Sequence, residues 1–189
     1  MLRIEALFGW LFKFRVRQFE AARPNGLYPR LIKVNQNMSE IADVLLEGTN
    51  GSLRLRLVRY EFPEILDDKW DSNWLVAFGE GHIDGRRWRF ESACLGTIEV
   101  GALADWLQRV ANGDEVDEID FIEPNLEFNL IGKSHVRVSF ALESAPPWVD
   151  GYDLDNRVGF DVTIGAHLAK AAVDLKCQSE AFPVRGMDE

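Results

Sequence analysis

The stretch Trp74-Leu-Val-Ala-Phe-Gly-Glu-Gly-His-Ile-Asp-Gly-Arg-Arg-Trp-Arg-Phe-Glu-Ser92 decides the fold class. It consists of two apolar-rich segments that only Asp84 and Gly85 separate, and Asp-Gly is a pair that two-residue hairpin loops favour. After this pair, Trp88 and Phe90 alternate with charged residues, which is the period of a strand with one buried face. The stretch therefore predicts an antiparallel β-hairpin.

Hairpin signals recur on both sides of this stretch. Upstream, Asn50-Gly51 separates Ile41–Leu46 from Leu53-Arg-Leu-Arg-Leu57, and Asn-Gly suits the positive φ angles of a type I′ turn. The alternation changes face at Val58, which predicts a bulge or a strand that is buried on both faces. Downstream, Gly132-Lys133 separates two more alternating segments, and a late strand follows. The apolar residues of these three segments are Leu126, Phe128 and Leu130; Val136, Val138, Phe140 and Leu142; and Val158, Phe160, Val162 and Ile164.

Two segments have helical periodicity. The first begins with Thr97 as N-cap and Glu99 in the first turn, and it ends before Gly113. The second covers roughly Ala166 to Cys177. Their one-sided apolar positions are Val100, Leu103, Leu107, Val110 and Ala111 in the first, and Leu168, Ala171, Ala172 and Leu175 in the second. About seven strands built from hairpins, with two such helices, predict an α+β fold: a mostly antiparallel sheet with both helices on one face or end.

The composition is that of a globular protein. The chain has 189 residues, of which 47% are hydrophobic and 28% are charged, and this excludes collagen-like and disordered chains. Its 21 Lys and Arg residues face 31 Asp and Glu residues, so the formal charge is −10 and argues against direct nucleic-acid binding. The sequence has no apolar run of membrane-spanning length and no convincing signal peptide. We therefore expect a cytoplasmic protein that binds no membrane.

Charge divides the chain near Met38. Residues 1–37 contain seven Lys and Arg against two Asp and Glu, a net charge of +5, while residues 38–189 contain 14 against 29, a net charge of −15. We predict a basic N-terminal extension at 1–37 and a single acidic domain at 38–189. Three interpretations of the extension stay open: an ordered arm on the acidic body, a basic amphipathic helix at a membrane surface, or an upstream addition from a misplaced start codon.

Two acidic runs are the candidates for function. The first is Asp67-Asp68-Lys69-Trp70-Asp71, and the second is Asp114-Glu115-Val116-Asp117-Glu118-Ile119-Asp120. Clustered carboxylates bind Ca²⁺ or Mg²⁺, share a proton in catalysis, form a solvated loop or contact a cationic partner. The first run does not have the spacing of an EF-hand, because an EF-hand numbered from Asp67 would need a glycine at Ser72. We assign neither run to a metal.

Signatures of catalysis are missing from the sequence. The three histidines, His82, His135 and His167, belong to no metal-binding or nucleophile motif. The glycines from Gly79 to Gly85 lead into a strand rather than a helix, so they do not form a dinucleotide-binding turn. Cys94 and Cys177 form no metal-binding pair. We therefore assign no catalytic residue, metal or cofactor, and we expect that the protein is not an enzyme.

Several short phrases occur in a consistent order across about residues 52–185. They are Tyr60-Glu-Phe-Pro63, Asp68-Lys-Trp-Asp-Ser-Asn-Trp-Leu75, Trp88-Arg-Phe90, Cys94-Leu95, Trp106-Leu107, Phe121-Ile-Glu-Pro-Asn-Leu-Glu-Phe128, Pro146-Pro-Trp148 and Ala181-Phe-Pro183. Together they resemble the WapI family of bacterial immunity proteins, and the phrase at 121–128 is the most specific. The N-terminal extension has no counterpart in this pattern.

The resemblance implies a small cytoplasmic protein that binds and neutralises the toxic C-terminal domain, often a nuclease, of a contact-delivered toxin. The partner would be a protein with a basic surface, and an acidic protein could cover that surface. The residues predicted to contact it are Asp67, Asp68, Trp70, Asp71, Asp114, Glu115, Asp117 and Glu118, with Trp70 as a buried aromatic anchor. Two alternatives stay open: an acidic binding or regulatory module with another protein partner, and an enzyme or metal protein.

Overall fold

The structure is a computed structural model, and it describes residues 41–186. The predicted N-terminal extension, its three interpretations and the predicted domain boundary at residue 38 lie outside the described residues. Within them, the order of elements is four strands, a helix, three strands and a helix. No helix in this range has both the length and the apolar character needed to cross a membrane.

The first sheet consists of four antiparallel strands in the order in which they occur along the chain. They are β1 (Val44–Glu47), β2 (Gly51–Tyr60), β3 (Trp74–Ile83) and β4 (Arg86–Gly96). The predicted bulge is confirmed, because the pairing of β2 with β3 shifts register between Leu57 and Arg59. As a result, the side chains of both Leu57 and Tyr60 are buried.

The two hairpin turns of this sheet differ from each other. Asp84 and Gly85 have φ angles of 48° and 80°, the positive values that a two-residue turn requires. The last pair of the β1–β2 ladder is Glu47 with Ser52, so four residues (48–51) lie between the paired positions, and neither Asn50 nor Gly51 has a positive φ. The first hairpin is thus confirmed, but its predicted type I′ turn is wrong, because a four-residue loop does not need two left-handed residues.

The second sheet consists of β5 (Leu126–Ile131), β6 (His135–Phe140) and β7 (Val158–Thr163), all antiparallel and in chain order. These three strands were predicted, but Leu142 does not extend β6. Its φ is 50°, and its N–H donates to the Gly151 carbonyl at 2.7 Å instead of continuing the ladder. A short 3-10 turn, Leu142–Ser144, follows there.

The two helices are α1 (Thr97–Asn112) and α2 (Ala166–Ser179). The N-cap of α1 is Gly96 rather than the predicted Thr97, and the Gly96 N–H donates to Glu99 Oε2 at 2.7 Å. Thr97 does not cap the helix because its hydroxyl donates to Asn73 Oδ1 at 2.8 Å. The predicted end is confirmed, since Gly113 is left-handed with a φ of 80°.

The helices pack chiefly against each other; α2 also covers β1 and β2, and α1 contacts β4. One aromatic cluster joins the two sheets, because the Phe140 ring lies 4.9 Å from Trp88 and 6.2 Å from Phe160, between ring centroids. The predicted α+β fold with seven antiparallel strands and two helices is confirmed, although the strands divide into two sheets.

Gln178, near the end of α2, is built into the first sheet. Its Oε1 accepts the Leu57 N–H at 2.7 Å, and its Nε2 donates to the Ala42 carbonyl at 2.8 Å. Ala42 lies just before β1, where Val44 pairs with Leu55. The buried side-chain amide therefore continues the β1–β2 ladder beyond the end of the backbone pairing.

Candidate partner-binding surface

The first acidic run lies in a loop between β2 and β3, which we call the acidic loop (residues 64–73). The Asp68 carboxylate accepts hydrogen bonds from the backbone N–H groups of Trp70 at 2.7 Å and Asp71 at 2.6 Å. The hydroxyl of Ser72 donates to the Asp68 carbonyl. Asp side chains commonly close turns in this way. Asp68 therefore shapes the loop through its own side chain.

Asn73, at the end of the acidic loop, fixes it to the body of the protein. The side chain is 5% exposed, and its Nδ2 donates to the carbonyls of Lys69 at 2.9 Å and Arg185 at 2.8 Å. Its Oδ1 accepts from the Thr97 hydroxyl at 2.8 Å and from the Arg185 N–H at 2.9 Å. One buried amide thus joins the acidic loop to the start of α1 and to the end of the chain.

The last described residues, 182–186, form what we call the C-terminal segment, and they pack beside the acidic loop. The Arg185 guanidinium lies over the Tyr60 ring, with its Cζ 3.3 Å from the ring centroid. The Tyr60 hydroxyl donates to the Pro183 carbonyl at 2.5 Å. The site prediction did not include Arg185, because an arginine near the end of the chain has no local pattern that marks it.

The acidic loop presents an exposed aromatic ring beside carboxylates. Trp70 is 60% exposed, and Lys69 Nζ lies 5.2 Å from the centroid of its ring. Asp67 and Asp71 are exposed as well. Partial desolvation, and secondly the charge of Asp68, raise the pKa of Asp71. This surface can therefore accept a cation both on the ring face and on the carboxylates.

The second acidic run, which we call the acidic segment (residues 114–120), lies along α1. The Arg109 guanidinium donates to the Glu115 carbonyl, and the Trp106 indole N–H donates to the Asp117 carbonyl at 2.8 Å. Ile122, just beyond the segment, donates its N–H to Glu99 Oε1 at 2.7 Å. The chain thus runs back from the C-terminal end of the helix towards its N-terminal end.

Two side chains of the acidic segment face the core, and the other five are exposed. Val116 and Ile119 are partly buried against the hydrophobic core. The predicted contact residues of this segment are all exposed: Asp114, Glu115, Asp117 and Glu118. The apolar side chains and the backbone bonds to α1 therefore hold the segment in place, and its carboxylates remain in solvent.

The acidic loop and the residues just beyond the acidic segment are both tied to the first turn of α1. Thr97 binds Asn73 of the acidic loop, and Glu99 binds Ile122 beyond the acidic segment. Burial raises the pKa of Glu99, although hydrogen bonds from the Ile122 and Gly96 N–H groups oppose this shift. The segment begins at the other end of α1, and at the rise of an α-helix this is roughly 20 Å from the first turn. Together the acidic loop and the acidic segment span a width suited to a protein partner rather than to a small ligand.

Several carboxylates outside the predicted site are paired with cations, whereas others, among them Asp150, Asp153 and Asp155, are exposed and form no ion pair within the described residues. Seven carboxylates form ion pairs on the sheets and helices within residues 41–186: Asp43, Glu80, Glu91, Asp105, Glu127, Asp161 and Asp174. None of the seven predicted contact carboxylates forms an ion pair with a Lys or Arg of this range. The predicted site thus carries negative charge that the described part of the chain does not compensate.

Sequence reasoning missed a third acidic stretch between β6 and β7. Tyr152 and Leu154 are 65% and 41% exposed there, among Asp150, Asp153 and Asp155. The Asp150 carboxylate accepts the Tyr152 N–H at 3.0 Å, which closes a turn. The alternation of Asp with apolar residues at 150–155 was the signal that could have indicated it.

The described residues contain no cluster of metal-binding side chains. Across residues 41–186, no three His, Cys, Asp or Glu side chains are placed to bind one metal ion. Within the acidic loop, the Asp68 carboxylate already accepts two backbone N–H groups.

Comparison with protein families gives a match to the family described as the immunity protein WapI-like family, over residues 44–183. The matched range is 140 residues (183 − 44 + 1) of the 189 in the chain, and it contains all seven strands and both helices. Neither the curated proteins nor the solved structures gave a match. The family match agrees with the resemblance that the sequence phrases indicate.

Proposed function

We propose, on the premise that this chain belongs to the WapI-like immunity protein family, that it binds the toxic C-terminal domain of a cognate toxin and keeps it inactive. Membership of this family supports three properties: an immunity role, a protein partner and a role without catalysis. Our proposal adds a one-to-one complex in the cytoplasm, a basic partner surface such as that of a nuclease, and contact through the acidic loop and the acidic segment.

The observation that carries this proposal is the uncompensated charge of the seven contact carboxylates. Within residues 41–186, no Lys or Arg forms an ion pair with them, although carboxylates on the neighbouring sheets are paired. Like charges that are neighbours in one stretch repel each other, so each acidic run costs free energy in the unbound protein. A cationic partner would remove that repulsion.

A nuclease suits this surface for a chemical reason. An enzyme that holds a nucleic-acid backbone must present Lys and Arg to the phosphates, and an acidic protein can occupy or cover the same groups. The field of the acidic stretches would also speed encounter, towards on-rates of about 10⁸–10⁹ M⁻¹s⁻¹ at low salt. The association rate should therefore fall steeply as salt is added.

Trp70 supplies the apolar centre that charges alone cannot provide. Most binding energy in protein interfaces comes from a few residues, and tryptophan is enriched among them. The Trp70 ring is 60% exposed in the unbound protein, yet the backbone around it is held by Asp68. A ring presented in this way can be buried by a partner with little cost in ordering the loop.

The direct test is isothermal titration of this protein with the toxic C-terminal domain encoded beside it. We expect one-to-one binding that weakens with salt. The double variants Asp67→Asn/Asp71→Asn and Asp114→Asn/Asp117→Asn should each weaken binding. A matched control is Glu91→Gln/Asp105→Asn, which removes two exposed charges that are paired with Arg59 and Lys176.

Equal losses in the control and the two test variants would show that net charge, and not this surface, drives binding. Absence of binding by the wild-type protein would favour the alternative of a regulatory module with another protein partner. Loss of binding in only one test variant would restrict the contact surface to that acidic stretch.

A further inference from the structure

We infer that Arg185 is a positioning residue for the partner-binding surface: it clamps both ends of the acidic loop and so holds that loop in the shape that the partner binds. This inference rests on the proposed function, since it concerns the same surface. Arg185 itself need not touch the partner.

The backbone of Arg185 holds the end of the acidic loop. Its N–H donates to Asn73 Oδ1 at 2.9 Å, and its carbonyl accepts from Asn73 Nδ2 at 2.8 Å. The two residues are 112 positions apart in the chain. A side-chain amide that bonds to both groups of one backbone residue fixes the separation and the orientation of the two segments.

The side chain of Arg185 holds the start of the same loop. Its Nη1 lies 3.4 Å from the Pro63 carbonyl and 3.5 Å from the Ile65 carbonyl, while the guanidinium plane covers the Tyr60 ring. Arginine suits this position because its planar fork can stack on a ring and donate to carbonyls at the same time. One residue thus reaches both sides of the acidic loop.

The residue after Arg185 touches the middle of the acidic loop. Gly186 has a φ of 62°, and a Cβ added there would lie 2.8 Å from the Asp68 carbonyl carbon and oxygen. Asp68 is the residue whose carboxylate binds the N–H groups of Trp70 and Asp71. The C-terminal segment therefore packs directly on the turn that presents the aromatic anchor.

A loop that is already ordered loses little conformational entropy when the partner binds, and this raises affinity without any new contact. Loss of the clamp should therefore weaken binding. The charge effect has the opposite sign, because removal of an arginine from a protein with a formal charge of −10 increases its attraction to a basic partner. The two explanations thus predict opposite changes.

The experiment compares Arg185→Ala with Arg87→Ala, which makes the same change in charge. Arg87 is exposed, and it pairs with His82 of β3. His82 lies eight residues along β3 from Trp74, which directly follows the acidic loop, so Arg87 is roughly 27 Å from the end of that loop at the rise of a strand. We expect Arg185→Ala to raise the Kd for the neighbouring toxic domain about tenfold, a loss of ordering equivalent to about 1.4 kcal/mol. Arg87→Ala should leave the Kd unchanged or lower it.

Hydrogen exchange of peptides that cover residues 64–73 gives a readout that needs no partner. We expect faster exchange in Arg185→Ala than in the wild type or in Arg87→Ala. A second variant, Gly186→Ala, changes no charge and should also raise the Kd, because its Cβ would displace the Asp68 backbone.

Equal Kd values for Arg185→Ala and Arg87→Ala would overturn the inference. The proposed function would still stand in that case, provided that the wild-type protein binds the toxic domain. Unchanged exchange of residues 64–73 in Arg185→Ala would overturn it as well. Failure of the wild-type protein to bind the toxic domain would instead overturn the proposed function, and with it the role of the clamp in binding.

Discussion

The faces of the two sheets and the acidic stretches beside α1 both expose many charged residues, but they use them differently. On the first sheet, Arg54 and Arg89 both reach Glu80, and Arg56 reaches Asp43. In the acidic loop, Lys69 lies over the Trp70 ring and forms no ion pair with a carboxylate of residues 41–186. Exposed ion pairs add little to stability, but they cancel charge locally. Many carboxylates of the sheets and helices are thus neutralised locally, whereas those of the acidic loop and the acidic segment, like those of the stretch at 150–155, form no ion pair within the described residues.

The two regions also differ in how they are held together. The β3–β4 hairpin is closed by adjacent residues, Asp84 and Gly85, and its ladder follows from local alternation. The acidic loop depends on Asn73 and Arg185, which are 112 residues apart. Stability should therefore respond most to the core beneath the sheets, and affinity most to the loop.

The largest expected effect concerns the core. Phe140→Ala removes a ring that is 1% exposed and lies against Trp88, Phe90 and Phe160, so we expect a loss of about 3–5 kcal/mol in the free energy of unfolding. Urea denaturation measures it. Leu130→Ala, half-exposed on the neighbouring β5, is the control. If the folded fraction of Phe140→Ala bound the partner more weakly than the wild type, the core would also determine affinity, which contradicts the separation of the two regions.

Asn73→Ala tests the residue that belongs to both regions. It leaves the Thr97 hydroxyl and the Arg185 N–H without their acceptor, so we expect a loss of about 3 kcal/mol in the free energy of unfolding. Affinity should fall with it, because the acidic loop loses its anchor. Exposed Asn129→Ala on β5 should change neither quantity. A stability loss with full affinity would mean that the loop keeps its shape without Asn73.

Trp70→Ala should separate the two regions most clearly. The ring is 60% exposed, so the free energy of unfolding should change by less than about 0.5 kcal/mol. Binding should weaken by about 2 kcal/mol, or roughly 30-fold in Kd, if Trp70 is the anchor. Tyr152→Ala removes an equally exposed ring outside the predicted site and serves as the control. Equal losses of affinity in Trp70→Ala and Tyr152→Ala would show that the acidic loop is not the centre of the interface.

The smallest expected effect is a dependence on pH. Desolvation and the charge of Asp68 raise the pKa of Asp71, so on acidification Asp71 takes up a proton at a higher pH than an unperturbed aspartate. Binding to a cationic partner should weaken by less than about 1 kcal/mol as the pH falls through that raised pKa. Asp71→Asn should abolish this part of the pH profile of Kd, measured beside the wild type.

Stability should change in the other direction. A carboxyl with a raised folded-state pKa contributes stability that is present below its unfolded pKa and is lost as the pH rises through its folded pKa. Acidification should therefore favour the folded state through Asp71 while it weakens binding. A parallel change of both quantities would contradict the separation of the two regions.

Much of the fold could be predicted because its signals are local. Asp84-Gly85 and the alternation around Trp88 and Phe90 gave the central hairpin, and Gly113 gave the end of α1. The details that failed depend on bonds to distant groups. Thr97 is not the N-cap because its hydroxyl binds Asn73, and Leu142 leaves β6 because its N–H binds Gly151.

The candidate site divides in the same way. Runs of carboxylates are visible in the sequence, and the structure shows that Asp67, Asp71 and the carboxylates of the acidic segment are exposed. The clamp by Arg185 could not be predicted, because it joins residues that no periodicity or spacing connects. The sequence thus indicates where charge is concentrated, whereas the tertiary structure determines how that charge is presented.

Gln178 has a consequence for biosynthesis. It binds the Leu57 N–H from a position 121 residues further along the chain, so β1 and β2 leave the ribosome long before their ladder can be completed. Contacts of such separation form slowly, and domains fold as units once their sequence is available. We therefore expect no folded domain, and so no protection, from unfinished polypeptides that stop before Gln178.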